Sequence, residues 1–311
     1  MKTAFQMDHP SRLNAKSDTT FMLIEEAIAR GHECFFYHPT DLSYSNGQLR
    51  APLARIQFEN GNVTLDTPVG TNLSDMQIIW MRQDPPFDMH YLTATYLLEH
   101  LPPTTMVFND PAGVRNAPEK LSPLAFRKFM PPTLISLDLP EILAFARTHG
   151  TIVAKPLYGF GGRSVYKLSA DDPNIETLVE QTRERRDEPL MWQQFLPAVA
   201  ESDKRIILID GEVAAVFQRK PAEHSIRANM RVGGTPIAAE LTPREKEICA
   251  AIGPMLKAEG LLLVGLDVIG DHLTEINVTS PTGLRAAQKL YGTNLAANVW
   301  EVAEKKMQSH A

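Results

Sequence analysis

The chain has 311 residues, a formal net charge of −6, and a composition of 43% hydrophobic and 22% charged residues. These values are ordinary for a globular protein and leave room for two or three compact units. The negative charge argues against nucleic-acid binding through a basic surface. Cys34 and Cys249 form no CxxC or His/Cys cluster, which argues against a disulfide framework or a zinc site.

The beginning of the chain has no long apolar run, so we expect no signal peptide. No later stretch approaches the roughly 20 apolar residues that span a bilayer. Together with the cysteine usage, this predicts a cytoplasmic protein without a membrane partner.

Residues 1–118 alternate between strand-like and helix-like segments. KTAFQM, ECFFYH, MQIIWMR (76–82) and TTMVFND (104–110) are predicted strands, and Thr19–Arg30 and 89–100 are predicted helices. This alternation predicts a parallel α/β sheet covered on both faces. The loop MRQDPPFD follows one strand, and open α/β sheets bind ligands at such strand ends.

From about residue 120 the pattern changes to α+β. Predicted helices cover 140–150, 174–187 and 242–260, and predicted strands cover 151–155, 165–168 and 190–196. A hairpin over 204–220 is expected to turn at Asp210 and Gly211, and Thr242 with Glu245 predicts a capped helix start. Residues 221–235 have no periodicity and predict a mobile loop.

A second hairpin, within 261–283, carries three oxygen ligands in apolar surroundings. Asp267 lies opposite Glu275 if the turn is centred on Asp271 with a loop over 270–272, and alternation then places Asn277 on the same face. Two carboxylates and an amide suit Mg²⁺. The alternative is a solvated edge hairpin whose acids face water.

A glycine loop, LYGFGGRS (157–164), separates two predicted strands. Gly159, Gly161 and Gly162 allow backbone N–H groups to approach a phosphate. The loop fits neither a Walker A nor a Rossmann motif, because a strand follows it rather than a helix. The alternative is a plain turn. Lys155 and Lys120 are candidate phosphate-binding cations, with solvated or snorkelling lysines as the alternative.

These features, taken in chain order, resemble an ATP-grasp ligase. The segments MRQDPPFD, NAPEKL, KPLYGFGG and GLDVIGDHLTEINVTSPTG are similar to those of bacterial glutathione synthetases, and the resemblance covers essentially the whole chain. It implies an N-terminal α/β domain over 1–120, followed by an ATP-grasp unit. That unit has a central lid over 121–199 and a C-terminal catalytic part over 200–311, with the mobile loop 221–235.

The resemblance also implies an activity, in which γ-glutamylcysteine and glycine are joined with ATP through an acyl phosphate. ATP and Mg²⁺, with Mn²⁺ as the alternative ion, are the implied cofactors. A homo-oligomer, either a tetramer or a dimer, is the implied assembly. Gln83 departs from the family's MRKDPPFD, which argues against a charge contact there but not against the reaction.

Residue roles carry over from the same resemblance. The implied catalytic cations are Arg205, Arg219 and Arg227. The implied metal ligands are Asp267, Glu275 and Asn277. The implied nucleotide contacts are Lys120, Lys155, Gly159, Gly161, Gly162, Gln193, Gln194, Phe195, Leu196 and Asp203. The implied substrate contacts are Arg82, Asp84, Arg219, Arg227, Asn229, Gly233, Gly234, Ser280, Thr282 and Gly283.

Other functions stay open at this point. The chain could be another ATP-grasp carboxylate–amine ligase with a different acceptor, or an ATP-binding regulatory protein without turnover. A structural module would bind no nucleotide. Ligation through an acyl phosphate requires no nucleophilic Ser or Cys, and Cys34, beside Phe35 and Phe36, is expected in the core.

Overall fold

The computed structural model describes all residues except 16, 60–61, 163, 186–187, 221–232 and 311. In this part of the chain the strands form an N-terminal, a central and a C-terminal sheet. Short 3₁₀ helices occupy Pro10–Arg12, Pro39–Asp41, Leu73–Asp75, Ser122–Phe129 and Pro197–Ala200. No described helix is long and apolar enough to cross a membrane.

The N-terminal sheet combines parallel and antiparallel strands. Its strands are β1 (Lys2–Gln6), β2 (Glu33–Tyr37), β3 (Ser43–Ser45), β4 (Gln48–Glu59), β5 (Asn62–Leu65), β6 (Val69–Asn72), β7 (Ile78–Met81) and β8 (Met106–Phe108). The order is β3-β4-β2-β1-β7-β8, with β5 and β6 paired to β4. Strands β2, β1, β7 and β8 run parallel as predicted, but β4 is antiparallel to β2.

The antiparallel strand β4 corrects the expected all-parallel N-terminal sheet. Leu49, Ala51 and Leu53 are buried, while Arg50 and Pro52 between them are exposed. This alternation gives β4 one apolar face, which packs into the core of the domain. The helices of the domain are α1 (Thr19–Ala29), α2 (Met89–Leu98) and α3 (Pro111–Asn116).

The central sheet has a core of its own. Its strands are β9 (Thr133–Ser136), β10 (Ile152–Pro156), β11 (Tyr166–Leu168) and β12 (Leu190–Gln194), in the order β11-β10-β12-β9. Helices α4 (Leu139–His149) and α5 (Asn174–Arg185) supply Ile142 and Ile175 to a cluster that includes Ile152 and Trp192. The glycine loop joins β10 to the antiparallel strand β11. The prediction that a strand follows this loop is therefore confirmed.

The C-terminal sheet is antiparallel. Its strands are β13 (Asp203–Ile209), β14 (Glu212–Lys220), β15 (Thr235–Ala238), β16 (Leu263–Ile269) and β17 (His272–Asn277), in the order β15-β14-β13-β16-β17. Its helices are α6 (Pro243–Ala258), α7 (Leu284–Tyr291) and α8 (Leu295–His310). Residue 235 begins β15, so the predicted loop 221–235 is too long by one residue at that end.

Two local predictions in the C-terminal part are confirmed. Asp210 and Gly211 form the two-residue turn between β13 and β14, with φ values of 50° and 75° that match a right-twisted hairpin. Thr242 and Glu245 cap α6 reciprocally through side chain and backbone.

The N-terminal and C-terminal sheets are joined by hydrogen bonds and a shared core. The Asn109 Nδ2 atom donates to the carbonyls of Leu263 and Val278 at 2.8 and 2.7 Å, and its Oδ1 accepts from the Leu263 N–H at 2.9 Å. At the other side, the Trp300 indole of α8 donates to the Leu23 carbonyl of α1 at 2.7 Å. The site described next is therefore built on two sheets that are packed together.

Candidate active site

The hairpin of β16 and β17 brings the predicted oxygen ligands together, but its turn differs from the expectation. Asp267 pairs with Glu275 as predicted, and Gly265 pairs with Asn277 two residues further on. However, Ile269 pairs with His272, so the turn has two residues instead of three. The pairing of Asp267 with Glu275 is kept because Thr274 forms a β-bulge, an extra residue on β17 opposite the step from Asp267 to Val268. The Thr274 hydroxyl donates to the Asp267 carbonyl at 3.0 Å.

Asp267 is held by two arginines. Arg205 lies opposite Asp267 on the neighbouring strand β13, and its Nε is 2.6 Å from Oδ1. Arg219 on β14 places Nη1 3.2 Å from Oδ2. Burial acts to raise the pKa of Asp267, but the two guanidinium groups outweigh burial and hold that pKa below its ordinary value.

Arg219 also binds Asp203, the predicted ribose contact. Its Nε lies 2.7 Å from Asp203 Oδ1, and Nη2 donates to the same oxygen. Both side chains are buried. Arg205, Arg219, Asp203 and Asp267 therefore form one ion-pair network, in which each charge has at least one opposite charge in contact.

Lys120 lies beside the hairpin of β16 and β17. The N–H of Ile276 in β17 donates to the Glu119 carbonyl at 3.0 Å, which fixes this segment to the strand. The Lys120 Nζ lies 3.3 Å from Glu119 Oε1 and 4.0 Å from Glu275 Oε1. It also donates to the Gly159 carbonyl, so the glycine loop contacts the same cation.

Glu119 is a residue that the sequence reading did not single out. Burial, and then the nearby charge of Glu275, raise the pKa of Glu119 to about 8. Burial acts to lower the pKa of Lys120, but Glu275 and Glu119 together outweigh it and raise that pKa. The two carboxyl groups thus crowd one buried spot. The available signal was the position of Glu119, directly before Lys120 in NAPEKL.

A deep pocket lies between the central and C-terminal sheets. Four of the predicted nucleotide contacts, which we call the hinge residues, line it: Gln193, Gln194, Phe195 and Leu196. Other lining residues are Val153, Lys155, Gly162, Val165, Asp203, Arg219, Asp267, Ile269 and Glu275. Its lining includes both apolar side chains, such as Val153 and Ile269, and charged ones, such as Lys155 and Glu275. Burial lowers the pKa of Lys155, whose Nζ donates to Gln193 Oε1 at 2.8 Å.

A second pocket opens between the N-terminal and C-terminal sheets. It is lined by Asp84, Pro85, Glu119, Phe160, Gly161, Arg205, Arg219, Glu275, Asn277, Thr279, Ser280, Pro281 and Thr282. Arg219 and Glu275 line both pockets, so the two meet at the hairpin. The Ser280 hydroxyl donates to Asp84 Oδ1 at 2.6 Å, and Arg82 Nη2 donates to the Pro281 carbonyl at 3.0 Å.

Some predicted site residues lie away from these pockets or outside the described chain. Arg227 and Asn229 belong to the undescribed range 221–232. The described residues lining the two pockets do not include Arg82, Lys120, Gly159, Gly233, Gly234 or Gly283. Lys120 nevertheless contacts Glu119 and Glu275, and Arg82 contacts Pro281, all of which line the second pocket. Gly159 contacts Lys120. Gln83 is buried and its Oε1 accepts from Gln6 Nε2 at 2.5 Å, a neutral pair at the position that departs from the family motif.

The two cysteines are not part of this site. Cys34 and Cys249 are both buried free thiols, and burial raises the pKa of each to about 12. Such thiols stay protonated and unreactive at neutral pH. The expectation that Cys34 is a core residue is confirmed.

The chain has the fold of the ATP-grasp ligases. Among solved structures, D-cycloserine synthetase DcsG has a TM-score of 0.70 at 13% identity, covering 99% of this chain and all of that one. The ATP-grasp ligase PsnB, complexed with a minimal precursor, Mg and ADP, has a TM-score of 0.63 at 15% identity, covering 99% and 98%. At these identities the likeness concerns the fold alone.

Sequence comparison gives the family. The N-terminal domain of prokaryotic glutathione synthetase matches residues 1–115, and its ATP-grasp domain matches residues 119–292. Glutathione synthetase from Brucella melitensis is 48% identical over 309 residues, covering 98% of this chain and 99% of that protein. The Synechocystis enzyme is 42% identical over 312 residues, covering 96% and 98%. The chain belongs to the prokaryotic glutathione synthetase family and is an ATP-dependent ligase, as predicted.

Proposed function

We propose that this chain joins γ-glutamylcysteine to glycine in the cleft formed by the two pockets. ATP enters the pocket between the central and C-terminal sheets, with its base against the hinge residues Gln193–Leu196 and its ribose near Asp203. Its phosphates then point toward the hairpin and toward Lys120 and Lys155. The peptide carboxylate comes from the second pocket and meets the terminal phosphate where the pockets join.

The residues at the hairpin fit a divalent cation. Glu119 and Glu275 bring two carboxyl groups to one buried spot, and the raised pKa of Glu119 reflects the unfavourable energy of ionising both. An ion there would relieve this repulsion. Mg²⁺ prefers oxygen ligands and keeps water or phosphate in its shell, so Asp267, Glu275 and Asn277 are sufficient protein donors. When bound, the ion supplies charge neutralisation for the phosphate groups.

The chain's own residues position and neutralise the reacting groups. The substrate carboxylate attacks the terminal phosphorus of ATP, and the bond to the ADP oxygen breaks, which leaves an acyl phosphate. Arg205 and Arg219 face this point and stabilise the negative charge that the migrating group carries. The glycine amine then attacks the acyl carbon, loses a proton, and phosphate departs.

The site also keeps these reactants away from water. An acyl phosphate hydrolyses easily, and the meeting point of the two pockets is bordered by buried side chains including Arg205, Arg219 and Asp267. Arg227 and Asn229 stay proposed substrate contacts that lie outside the described residues.

The meeting of the two pockets at Arg219 and Glu275 is the observation that supports this proposal, because a nucleotide in the first pocket and a carboxylate in the second would then lie next to each other. The test is mass spectrometry of the product formed by purified protein with ATP, Mg²⁺, γ-glutamylcysteine and glycine. We expect glutathione only when all four are present. Product from glutamate or D-alanine as acceptor, and none from glycine, would contradict the proposed substrates.

Three further properties stay predictions. The central sheet's separate core supports a lid over 121–199 between the units 1–120 and 200–311. A homo-oligomer can be checked by size-exclusion chromatography with light scattering. A cytoplasmic location can be checked by cell fractionation.

A further inference from the structure

A chain of hydrogen bonds runs from the cleft into the central sheet. The Lys155 Nζ donates to Gln193 Oε1 at 2.8 Å. The Gln193 Nε2 donates to Thr133 Oγ1 at 2.9 Å, and the Thr133 hydroxyl donates to the Pro131 carbonyl at 2.8 Å. Gln193 is buried and lines the nucleotide pocket, whereas Thr133 is half-buried and does not.

The pairing of the strands in the central sheet places these three side chains next to one another. Thr133 on β9 lies directly opposite Gln193 on β12. Lys155 on β10 pairs with Met191, two residues before Gln193 on β12, so the lysine is a diagonal neighbour of the amide on one face. Each side chain reaches Gln193 from a different neighbouring strand.

Elementary chemistry then fixes the orientation of the Gln193 amide from both sides. A lysine ammonium can only donate, so the oxygen of the amide must face Lys155. The single hydroxyl proton of Thr133 is engaged by Pro131, so toward Gln193 this hydroxyl can only accept, and the amide must present its NH₂ group there. The two constraints agree, and a flipped amide would lose both hydrogen bonds.

We propose that Thr133 is a positioning residue that locks the Gln193 amide and thereby makes the nucleotide pocket prefer adenine. The inference rests on the proposed nucleotide site and assigns a base-specificity role to a residue that does not touch the base. A locked amide offers the base edge one acceptor and one donor in a fixed order.

This fixed order discriminates between purines at position 6. Adenine carries an amino donor at C6 beside ring-nitrogen acceptors, which a glutamine amide can satisfy with its oxygen and NH₂ together. Hypoxanthine carries a carbonyl acceptor at C6, which would face the amide oxygen. Without Thr133, turning the amide over to give its NH₂ group to that carbonyl would break one hydrogen bond, that from Lys155, instead of two. Removing the hydroxyl should therefore reduce selectivity more than general nucleotide affinity.

The experiment compares binding of Mg·ATP and Mg·ITP by isothermal titration calorimetry, without the other substrates. ITP differs from ATP only in its base, so the phosphate and ribose contacts cancel in the ratio of the two affinities. We expect wild-type protein to favour ATP and Thr133→Val to lower that preference about three- to tenfold, the range for one neutral hydrogen bond. Thr133→Ser, which keeps the hydroxyl, should restore the wild-type ratio.

Thr148→Val is the matched control, because it removes a hydroxyl from helix α4 of the same unit, where the Thr148 hydroxyl donates to the local Ala144 carbonyl at 2.9 Å. It should keep the wild-type ratio. If Thr133→Val does not fold, Thr133→Ala removes the same hydroxyl with a smaller side chain.

The outcomes separate the two proposals. Wild-type protein that binds neither nucleotide would overturn the proposed function itself. Wild-type protein that favours ATP, with an unchanged ratio in Thr133→Val, would overturn only the role of Thr133. An equal loss of ATP preference in Thr133→Val and Thr133→Ser would also overturn the role of Thr133, since the hydroxyl would then not be the cause of the preference.

Discussion

At the scale of single residues, Asp267 has two tasks that act at different times. Without ligands it is the anion that holds Arg205 and Arg219 in place. In the proposed reaction the same carboxylate is shared with a divalent cation. The arginines are therefore oriented before any substrate arrives, which is a form of preorganisation.

Asp267→Asn tests both tasks. The neutral amide keeps the size of the side chain but leaves two buried guanidinium groups without their common partner. We expect the free energy of unfolding to fall by about 3–5 kcal/mol in urea, as for a broken buried ion pair, and Mn²⁺ binding measured by electron paramagnetic resonance to be lost. Asp271→Asn, at the exposed turn of the same hairpin, is the control and should change neither. An unchanged stability of Asp267→Asn would show that the network contributes little.

Glu119 gives the protein a specific pH dependence. The pKa of Glu119 is about 8 in the folded protein and returns toward its ordinary 4.5 on unfolding. Between these values the folded state keeps a proton that the unfolded chain loses, so stability falls as the pH rises through this window. Below pH 4.5 both states are protonated and the difference vanishes.

The test measures unfolding of wild-type protein and Glu119→Gln in EDTA from pH 5 to 8. We expect the wild-type free energy of unfolding to drop by on the order of 1 kcal/mol per pH unit relative to Glu119→Gln, which cannot ionise. Parallel pH curves for the two proteins would rule out the raised pKa. Comparison with the variant removes the contribution of titrating groups that do not interact with Glu119.

The sequence predicted the ligand hairpin at this scale because its residues are neighbours along the chain. Counting alone placed Asp267 opposite Glu275 and Asn277 on the same face. The bulge at Thr274 escaped that counting, since a two-residue turn with a bulge and a three-residue turn give the same pairing. Glu119 and Thr133 escaped because their partners Glu275 and Gln193 lie far away in sequence.

At the scale of elements, features set by residues close in sequence could also be predicted, whereas features set by distant residues could not. Strands and helices with clear periodicity, such as α6 and the hairpin of β13 and β14, were found with their turn and cap. The antiparallel strand β4 was not assigned although the apolar residues Leu49, Ala51 and Leu53 stand at every second position, so part of its signal was present. The order of the central sheet depends on pairing between distant strands, which no local pattern encodes.

The packing of α3 against the end of α6 depends on one glycine. A Cβ added to Gly113 would lie 2.1 Å from the Glu259 carbonyl oxygen, so the backbones must separate to accept an alanine. We expect Gly113→Ala to lose about 1–3 kcal/mol of stability, as for overpacking, measured by urea denaturation. Gly70→Ala, where a Cβ meets nothing within 4 Å, should change it little. Equal effects of the two substitutions would refute the close approach.

At the scale of the whole molecule, the nucleotide pocket lies between the central sheet, which has its own core, and the C-terminal sheet. A ligand that bridges the two should stabilise their contact. We expect saturating Mg·ATP, at about 100 times its dissociation constant, to add roughly 2.7 kcal/mol and raise the melting temperature by a few degrees.

The control for this thermal shift is ATP with EDTA, and the shift should then be much smaller. Asp267→Asn should respond to ATP in the same way with or without Mg²⁺. An equally large shift for the wild-type protein without the ion would show that the hairpin does not bind a metal together with the nucleotide.

The contact between α8 and α1 has a consequence for synthesis of the chain. The Trp300 indole donates to the Leu23 carbonyl and its ring packs edge-on to Trp80, so residues near the C-terminus complete the covering of the first sheet. A ribosome must therefore translate past residue 300 before the earliest-made strands can reach their final burial. Nascent chains stalled before residue 295 should stay sensitive to protease in their first hundred residues, and release of the finished polypeptide should protect them.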